Sequence, residues 1–292
     1  MLKIGSLCTG YGGLDLATEQ HFNAQTVWCA EFDKNASQVV QARFNIPNYG
    51  DIKTINWSEV EPIDILTAGY PCQPFSHAGY RKGTDDNRHI FPYILEAISI
   101  LRPRWVVLEN VRGHLSLGLK EVLQGLAEYG YDAKWQVIRA SDVGAPHQRA
   151  RLFIVAYPDS YAREKSRRTD RGISSEASEI INGTDRTVHR GSCEDVSDTY
   201  DEHKPYDGQV PGLGRRFIAR CQMHLQEAPD ALDQDGKLNA VFVEYMMGLP
   251  KGWVTNVGLS RAQQLKMLGN GVVPQQAEYA LELLTSDWGI NE

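Results

Sequence analysis

The chain has 292 residues, 30 Lys and Arg against 37 Asp and Glu, a formal charge of −7 and a hydrophobic fraction of 42%. These values suit a globular protein of one large domain, or of one domain plus a smaller module, and they exclude a disordered or fibrous chain. The negative balance also excludes a wholly basic nucleic-acid binder, so contact with DNA or RNA would need a local basic surface.

In chain order, Leu2 to Leu7, Thr26 to Ala30, Ile63 to Ala68, Trp105 to Leu108 and Leu152 to Ala156 are short apolar runs that read as buried strands. Between them, Leu14 to His21, Lys34 to Phe44, Pro92 to Leu101 and Leu117 to Tyr129 carry helical spacing. The alternation predicts an α/β fold with a doubly wound parallel sheet covered on both faces. Its ligand site should lie in the crevice beyond the carboxyl ends of the strands.

From Tyr157 to Leu238 aliphatics become scarce. A basic cluster (Arg163, Lys165, Arg167, Arg168, Arg171) is followed by an acidic patch around Glu194 to Glu202, then by Arg215, Arg216 and Arg220. This stretch reads either as a solvated insert or as a partner-binding module whose basic clusters meet phosphate. Globular patterning resumes at Phe242 to Gly248 and Gln263 to Leu284, with a helix predicted from Gln275. The expected organisation is a core over 1–156, an inserted module over 157–238 and a C-terminal segment over 239–292 that returns to the core.

The five cysteines (Cys8, Cys29, Cys72, Cys193, Cys221) are odd in number and include no C-x-x-C, which points to a reduced, intracellular protein. Cys193, His203, Cys221 and His224 fit no standard zinc spacing, so no metal is expected. The N-terminus is too short in apolar residues for a signal peptide, and no apolar run approaches the length of a bilayer span. A cytoplasmic protein without membrane contact is the expectation.

Three motifs carry chemistry. Gly10-Tyr11-Gly12-Gly13 follows the first strand, and Glu31 ends the second, about 20 residues on, where a carboxylate can accept both hydroxyls of a ribose. The spacing departs from the dinucleotide fingerprint and no P-loop lysine follows, so an adenosine cofactor without a pyrophosphate fits better. After the third strand, Pro71-Cys72-Gln73-Pro74 holds a thiol between two prolines that stiffen the loop. Cys72 is thus a candidate nucleophile, whereas Cys29 and Cys8 read as small buried hydrophobes. Glu109 ends the fourth strand in Glu109-Asn110-Val111. It is either a desolvated acid beside the same crevice or a cap for the following turn.

Together these residues resemble the S-adenosylmethionine-dependent DNA (cytosine-5) methyltransferases. Pro71-Cys72-Gln73 and Glu109-Asn110-Val111 are similar to that family's nucleophile and proton-handling motifs, and Ala145 to Arg151 to its arginine motif. Met247 to Pro250 and Leu268 to Pro274 resemble its last two blocks, so residues 4 to 156 and 239 to 284 are covered in the family's order. The resemblance implies a doubly wound Rossmann-like methyltransferase core with an inserted target-recognition module. It implies that Cys72 attacks carbon 6 of a cytosine flipped out of duplex DNA, that Glu109 bonds N3 and that Asn110 fixes the Cys72 loop. Arg151 would contact O2, with Arg149 as its companion.

For S-adenosylmethionine the resemblance implies Glu31 on the ribose, Phe32 against adenine and Asp51 on its amino group, with Ile52 beside it. Leu7, Gly10, Tyr11, Gly12, Gly13 and Pro71 would line the site, and Asn270, Gly271 and Val272 would close over the methionine portion. Three departures stand out: Cys8 replaces a usual phenylalanine, Tyr70 stands where a second proline is common, and His147 replaces a usual glutamine. The expected partners are duplex DNA and a cognate restriction endonuclease, with the enzyme itself a monomer. An RNA cytosine-5 methyltransferase and a catalytically silent DNA-binding protein are the competing readings. Retention of Cys72, Glu109, Arg149 and Arg151 together argues against the silent one.

Overall fold

The computed structural model describes residues 1–71, 90–158 and 228–286. Six strands, β1 (Leu2–Leu7), β2 (Ala24–Ala30), β3 (Ile65–Gly69), β4 (Trp105–Val111), β5 (Tyr131–Ile138) and β6 (Arg151–Pro158), form one sheet in the order β2-β1-β3-β4-β6-β5. The helices among the described residues are α1 (Gly13–Phe22), α2 (Lys34–Arg43), α3 (Phe91–Leu101), α4 (His114–Leu117), α5 (Leu119–Glu128), α6 (Ala240–Met246), α7 (Arg261–Asn270) and α8 (Pro274–Thr285).

Strict alternation of side chains along the central strands divides the core in two. Leu66, Ala68, Val106, Leu108, Leu152 and Ile154 pack with Ile94, Ile98, Val122 and Leu126 of α3 and α5. Ile65, Trp105, Val107, Phe153 and Val155 pack on the other face with Leu14, Ala17, Ala277 and Leu281 of α1 and α8. A third cluster joins Tyr11 and Val39 to Leu249, Val254, Met267 and Leu268, so the C-terminal segment is built into the core.

Two features differ from the expectation. β5 has no apolar run to betray it: Asp132, Lys134 and Gln136 alternate with Ala133, Trp135 and Val137 on a half-buried edge. The link from β5 to β6 holds a 3-10 turn (Ala140–Val143) instead of a crossover helix, and β6 lies antiparallel to both β4 and β5. The other pairings, β1 with β2, β1 with β3 and β3 with β4, are parallel as expected. Of the predicted inserted module, only 157–158 and 228–238 lie within the described residues.

Candidate active site

The same alternation that builds the core places the acid. Glu109 follows Trp105 and Val107 on the α1/α8 side of β4, and Arg151 precedes Phe153 and Val155 on the same side of β6. Glu109 pairs with Phe153 and Val111 with Arg151, so acid and arginine are diagonal neighbours across the antiparallel ladder. Arg151 Nε lies 3.0 Å from Glu109 Oε1, with Glu109 7% exposed. Burial pushes the Glu109 carboxyl up to about 7 although Arg151 and Arg149 pull it down. A carboxyl at that value holds or releases a proton near neutrality, which is what the acid reading of this residue requires and a turn cap does not.

On β3 the register partner of Glu109 is Gly69. A Cβ there would lie 3.6 Å from Glu109 Oε2 and 3.8 Å from the Cys8 carbonyl, so the missing side chain leaves the acid open to the crevice. Asn110 Nδ2 donates to the Tyr70 carbonyl at 3.1 Å, and Asn110 Oδ1 accepts from the Val111 N–H. The turn that follows Glu109 therefore grips the backbone that leads to Pro71. Pro71 is exposed and is the last described residue there; Cys72 lies outside the described residues.

At the neighbouring strand ends, Glu31 is 8% exposed; its Oε2 accepts from the Gly10 N–H at 2.7 Å and its Oε1 from the Asp33 N–H at 2.8 Å. Burial raises its carboxyl while these backbone donors lower it. Phe32, next in sequence, is 76% exposed, an uncovered phenyl ring beside a buried carboxylate. Asp51 caps the 3-10 turn Ile52–Thr54 through the Lys53 N–H, with Ile52 buried behind it. Glu31 and Asp51 flank Cys8, whose thiol is pushed up to about 12, first by burial and then by these two carboxylates. Cys29 is likewise driven to about 12 by burial, so neither thiol is a nucleophile at neutral pH.

The glycine loop is clamped from behind. Gly10 and Gly12 have φ of 60° and 82°, conformations that suit glycine. The Leu7 side chain is in the core, and the Tyr11 ring is fully buried, its hydroxyl donating to the Val272 carbonyl at 2.6 Å. Trp253 Nε1 donates to the Tyr11 carbonyl at 2.8 Å, so both the hydroxyl and the backbone carbonyl of Tyr11 are engaged by the C-terminal segment. A Cβ on Gly271 would meet the Tyr11 ring at 1.8 Å, and one on Gly13 the Val272 carbonyl at 2.2 Å. The predicted residues Tyr11, Gly13, Gly271 and Val272 thus come together as the joint between the loop and the C-terminal segment, while Asn270 is exposed at the end of α7. Arg149 joins them: its Nη2 donates to the Gly269 carbonyl at 2.8 Å and the Gly271 carbonyl at 2.5 Å.

With this geometry in view, comparison with known proteins decides the family. A C-5 cytosine-specific DNA methylase model matches residues 2–207. The chain belongs to the C-5 cytosine-specific DNA methylase family. It is 40% identical over 165 residues to the type II methyltransferase M.Bsp6I of Bacillus sp. (strain RFL6), covering 54% of this chain and 52% of that one. To M.MspI of Moraxella sp it is 28% identical over 288 residues, covering 93% and 67%. The chain spans about half the length of M.Bsp6I and of the Neisseria gonorrhoeae relative M.NgoBI, 52% in each case. The S. pombe Dnmt2 methyltransferase structure matches with a TM-score of 0.64 at 18% identity over 99% of this chain and all of that one, which gives the fold as the Rossmann-like methyltransferase fold.

In this member of the DNA methylase family, sequence reasoning missed two buried polar groups under the site. Asp15, 1% exposed in the first turn of α1, accepts from Thr67 Oγ1 at 2.5 Å, and beside it Ser6 and Thr9 share a hydrogen bond of 2.8 Å. Burial lifts the Asp15 carboxyl to about 6. A charged residue at a helical position flanked by apolar residues was the available signal. His114, bonded to Tyr70, carried none. Among the described residues no helix is long and apolar enough to cross a membrane, and no cluster of three or more His, Cys, Asp or Glu could hold a metal.

Proposed function

We propose that the protein transfers a methyl group from S-adenosylmethionine to carbon 5 of cytosine at a specific site in duplex DNA, through a covalent Cys72 adduct with a flipped-out base. The observation that carries this reading is the buried Glu109–Arg151 pair, opened to the crevice by Gly69 and tied through Asn110 to the start of the Cys72 loop.

The cofactor end fits S-adenosylmethionine. Glu31 accepts only N–H groups among the described residues and pairs with no described cation, and the hydroxyls of a ribose are donors matched to its remaining lone pairs. The exposed Phe32 ring offers a face for adenine, and a Cβ on Gly10 would meet nothing within 4 Å, so the loop has room for a ligand. Asp51 and the joint at Gly271 and Val272 complete the enclosure. When bound, S-adenosylmethionine supplies an electrophilic methyl group.

The protein's own residues do the rest. The Cys72 thiolate adds to carbon 6, and the ring electrons move toward carbon 5 and N3. Glu109 in its acid form donates to N3 as charge builds there, and Arg151 holds that carboxyl and faces O2. After carbon 5 is methylated its proton leaves to a base, the C6–S bond breaks and the thiolate is regenerated. Flipping the base costs roughly a few kcal/mol, to be met by contacts from the module at 157–238. The type II names of the bacterial relatives support a link to a restriction endonuclease; the enzyme is further proposed to be a cytoplasmic monomer in a bacterial or phage-infected cell.

The test is transfer of radiolabelled methyl groups from S-adenosylmethionine to duplex DNA and to tRNA. Label in duplex DNA, and 5-methylcytosine at one sequence context across the genome of a methylation-free host, is the expected result. Label confined to tRNA, or none in either, rejects the proposal.

A further inference from the structure

Tyr70 stands between the end of β3 and Pro71-Cys72, at a position where a proline would have fixed φ. A tyrosine imposes no such constraint, so its order must come from contacts. The backbone is held by Asn110 Nδ2, as described above. The side chain is 5% exposed and packs its ring against Phe91, with centroids 5.7 Å apart. Its hydroxyl lies 3.0 Å from Nε2 of His114, also 5% exposed, and the two rings meet edge to face at 5.6 Å.

His114 is in turn pinned. It opens α4 directly after Glu109-Asn110-Val111-Arg112-Gly113, and Gly118 leaves its ring so little room that a Cβ there would come within 2.2 Å of Cε1. Burial holds the imidazole neutral, lowering it to about 4, so it exchanges one hydrogen bond with the phenol and brings no charge. The turn that follows the acid therefore grips the same residue twice, once by its carbonyl and once by its hydroxyl.

We infer that Tyr70 and His114 are positioning residues for the nucleophile, their hydrogen bond fixing the chain two residues before Cys72 relative to Glu109. The inference rests on the proposed role of Cys72. A thiol must meet carbon 6 while the acid meets N3 of the same ring, and misplacement by about 1 Å costs up to roughly a hundredfold in rate. An aromatic ring alone would fill the cavity; the hydroxyl and the imidazole set its angle.

The experiment uses the full-length protein, S-adenosylmethionine and a duplex synthesised with 5-fluorocytosine at every cytosine, on which an adduct persists because fluorine cannot leave as the proton does. Wild type should form the adduct and Cys72→Ala should not. Tyr70→Phe should form it at least tenfold more slowly and lower kcat equally, with KM for S-adenosylmethionine within twofold of wild type. The double variant Tyr70→Phe/His114→Leu removes both sides of that hydrogen bond and is expected to be no faster than Tyr70→Phe, whatever its thermal stability. An adduct rate in Tyr70→Phe equal to wild type, or recovery of rate in the double variant, overturns the positioning role and leaves the nucleophile intact. Absence of adduct in wild type, or its persistence in Cys72→Ala, overturns the nucleophile reading and the inference with it.

Discussion

Glu109→Gln separates what the acid does for the reaction from what it costs the fold. The native carboxyl is raised from 4.5 to about 7, chiefly by burial. A carboxyl raised on folding stabilises the protein fully below its unfolded value, and that contribution is lost as pH rises through the folded value. Here the loss runs from about pH 4.5 to just above pH 7. A shift of this size corresponds to about 3 kcal/mol in all, of which roughly 2 to 3 kcal/mol falls between pH 5 and pH 8. Glutamine has nearly the same shape and does not titrate. Asp15, Glu31 and Glu282, the other carboxyls raised by burial among the described residues, titrate in both proteins, so they cancel in the difference.

The measurement is urea unfolding of wild type and Glu109→Gln at half-unit steps from pH 5 to pH 8. The stability of the variant relative to wild type should climb by roughly 2 to 3 kcal/mol across that range, whatever its offset at pH 5. Methyl transfer by the variant should fall at least about a hundredfold, because the proposed proton donor to N3 is gone. A group that destabilises the folded state and supports the reaction is the signature of a functional site. Parallel stability curves would show that Glu109 keeps an ordinary pKa and would refute the account of it as a desolvated acid.

Two further predictions concern the walls of the crevice. Gly69→Ala places a methyl in ordinary contact, 3.6 Å from Glu109 Oε2, so the thermal midpoint should stay within a few degrees while kcat falls about tenfold or more; an unchanged kcat would mean that this space is not where substrate meets the acid. Glu31→Ala should raise KM for S-adenosylmethionine by about ten- to a hundredfold, the value of one to two hydrogen bonds to a charged acceptor, with KM for DNA little changed. Isothermal titration with the cofactor alone checks this, and wild-type affinity would move the ribose contact away from Glu31.

The legible parts of the molecule are those where one short run of residues determines its own surroundings. Ile65, Leu66, Ala68 and Val106 to Leu108 are apolar because their strands are buried on both faces, so strands and crevice follow from composition alone. Glu109 was legible because it breaks such a run at its carboxyl end. β5 was not, because an edge strand is wet on one side and its alternation of Lys134 and Trp135 resembles loop. The Arg151 contact with Glu109 follows from the antiparallel register of β6, which depends on a link without a helix; no local pattern in 151–158 announces it. The Tyr70–His114 bond spans 44 residues and joins two residue types that are ordinary wherever they stand.

The two neighbouring arginines show how one motif serves two ends of the site. Arg151 begins β6, where the strand's alternation turns its guanidinium to Glu109. Arg149, two residues earlier, has φ of 34°, outside extended geometry, so parity no longer governs it. Its guanidinium instead reaches the carbonyls at the end of α7, where the helix dipole favours a cation. Fully buried Gln276 on α8 completes the link, donating through Nε2 to the carbonyls of Ile138 and Arg149. The backbone that aims Arg151 at the acid is thereby fixed to Gly271 and Val272, which hold the glycine loop through Tyr11. Acid and glycine loop are thus set relative to each other through an ion pair, a short stretch of backbone and hydrogen bonds, and the C-terminal segment is a structural part of the candidate site although residues 159–227 separate it from β6 in sequence.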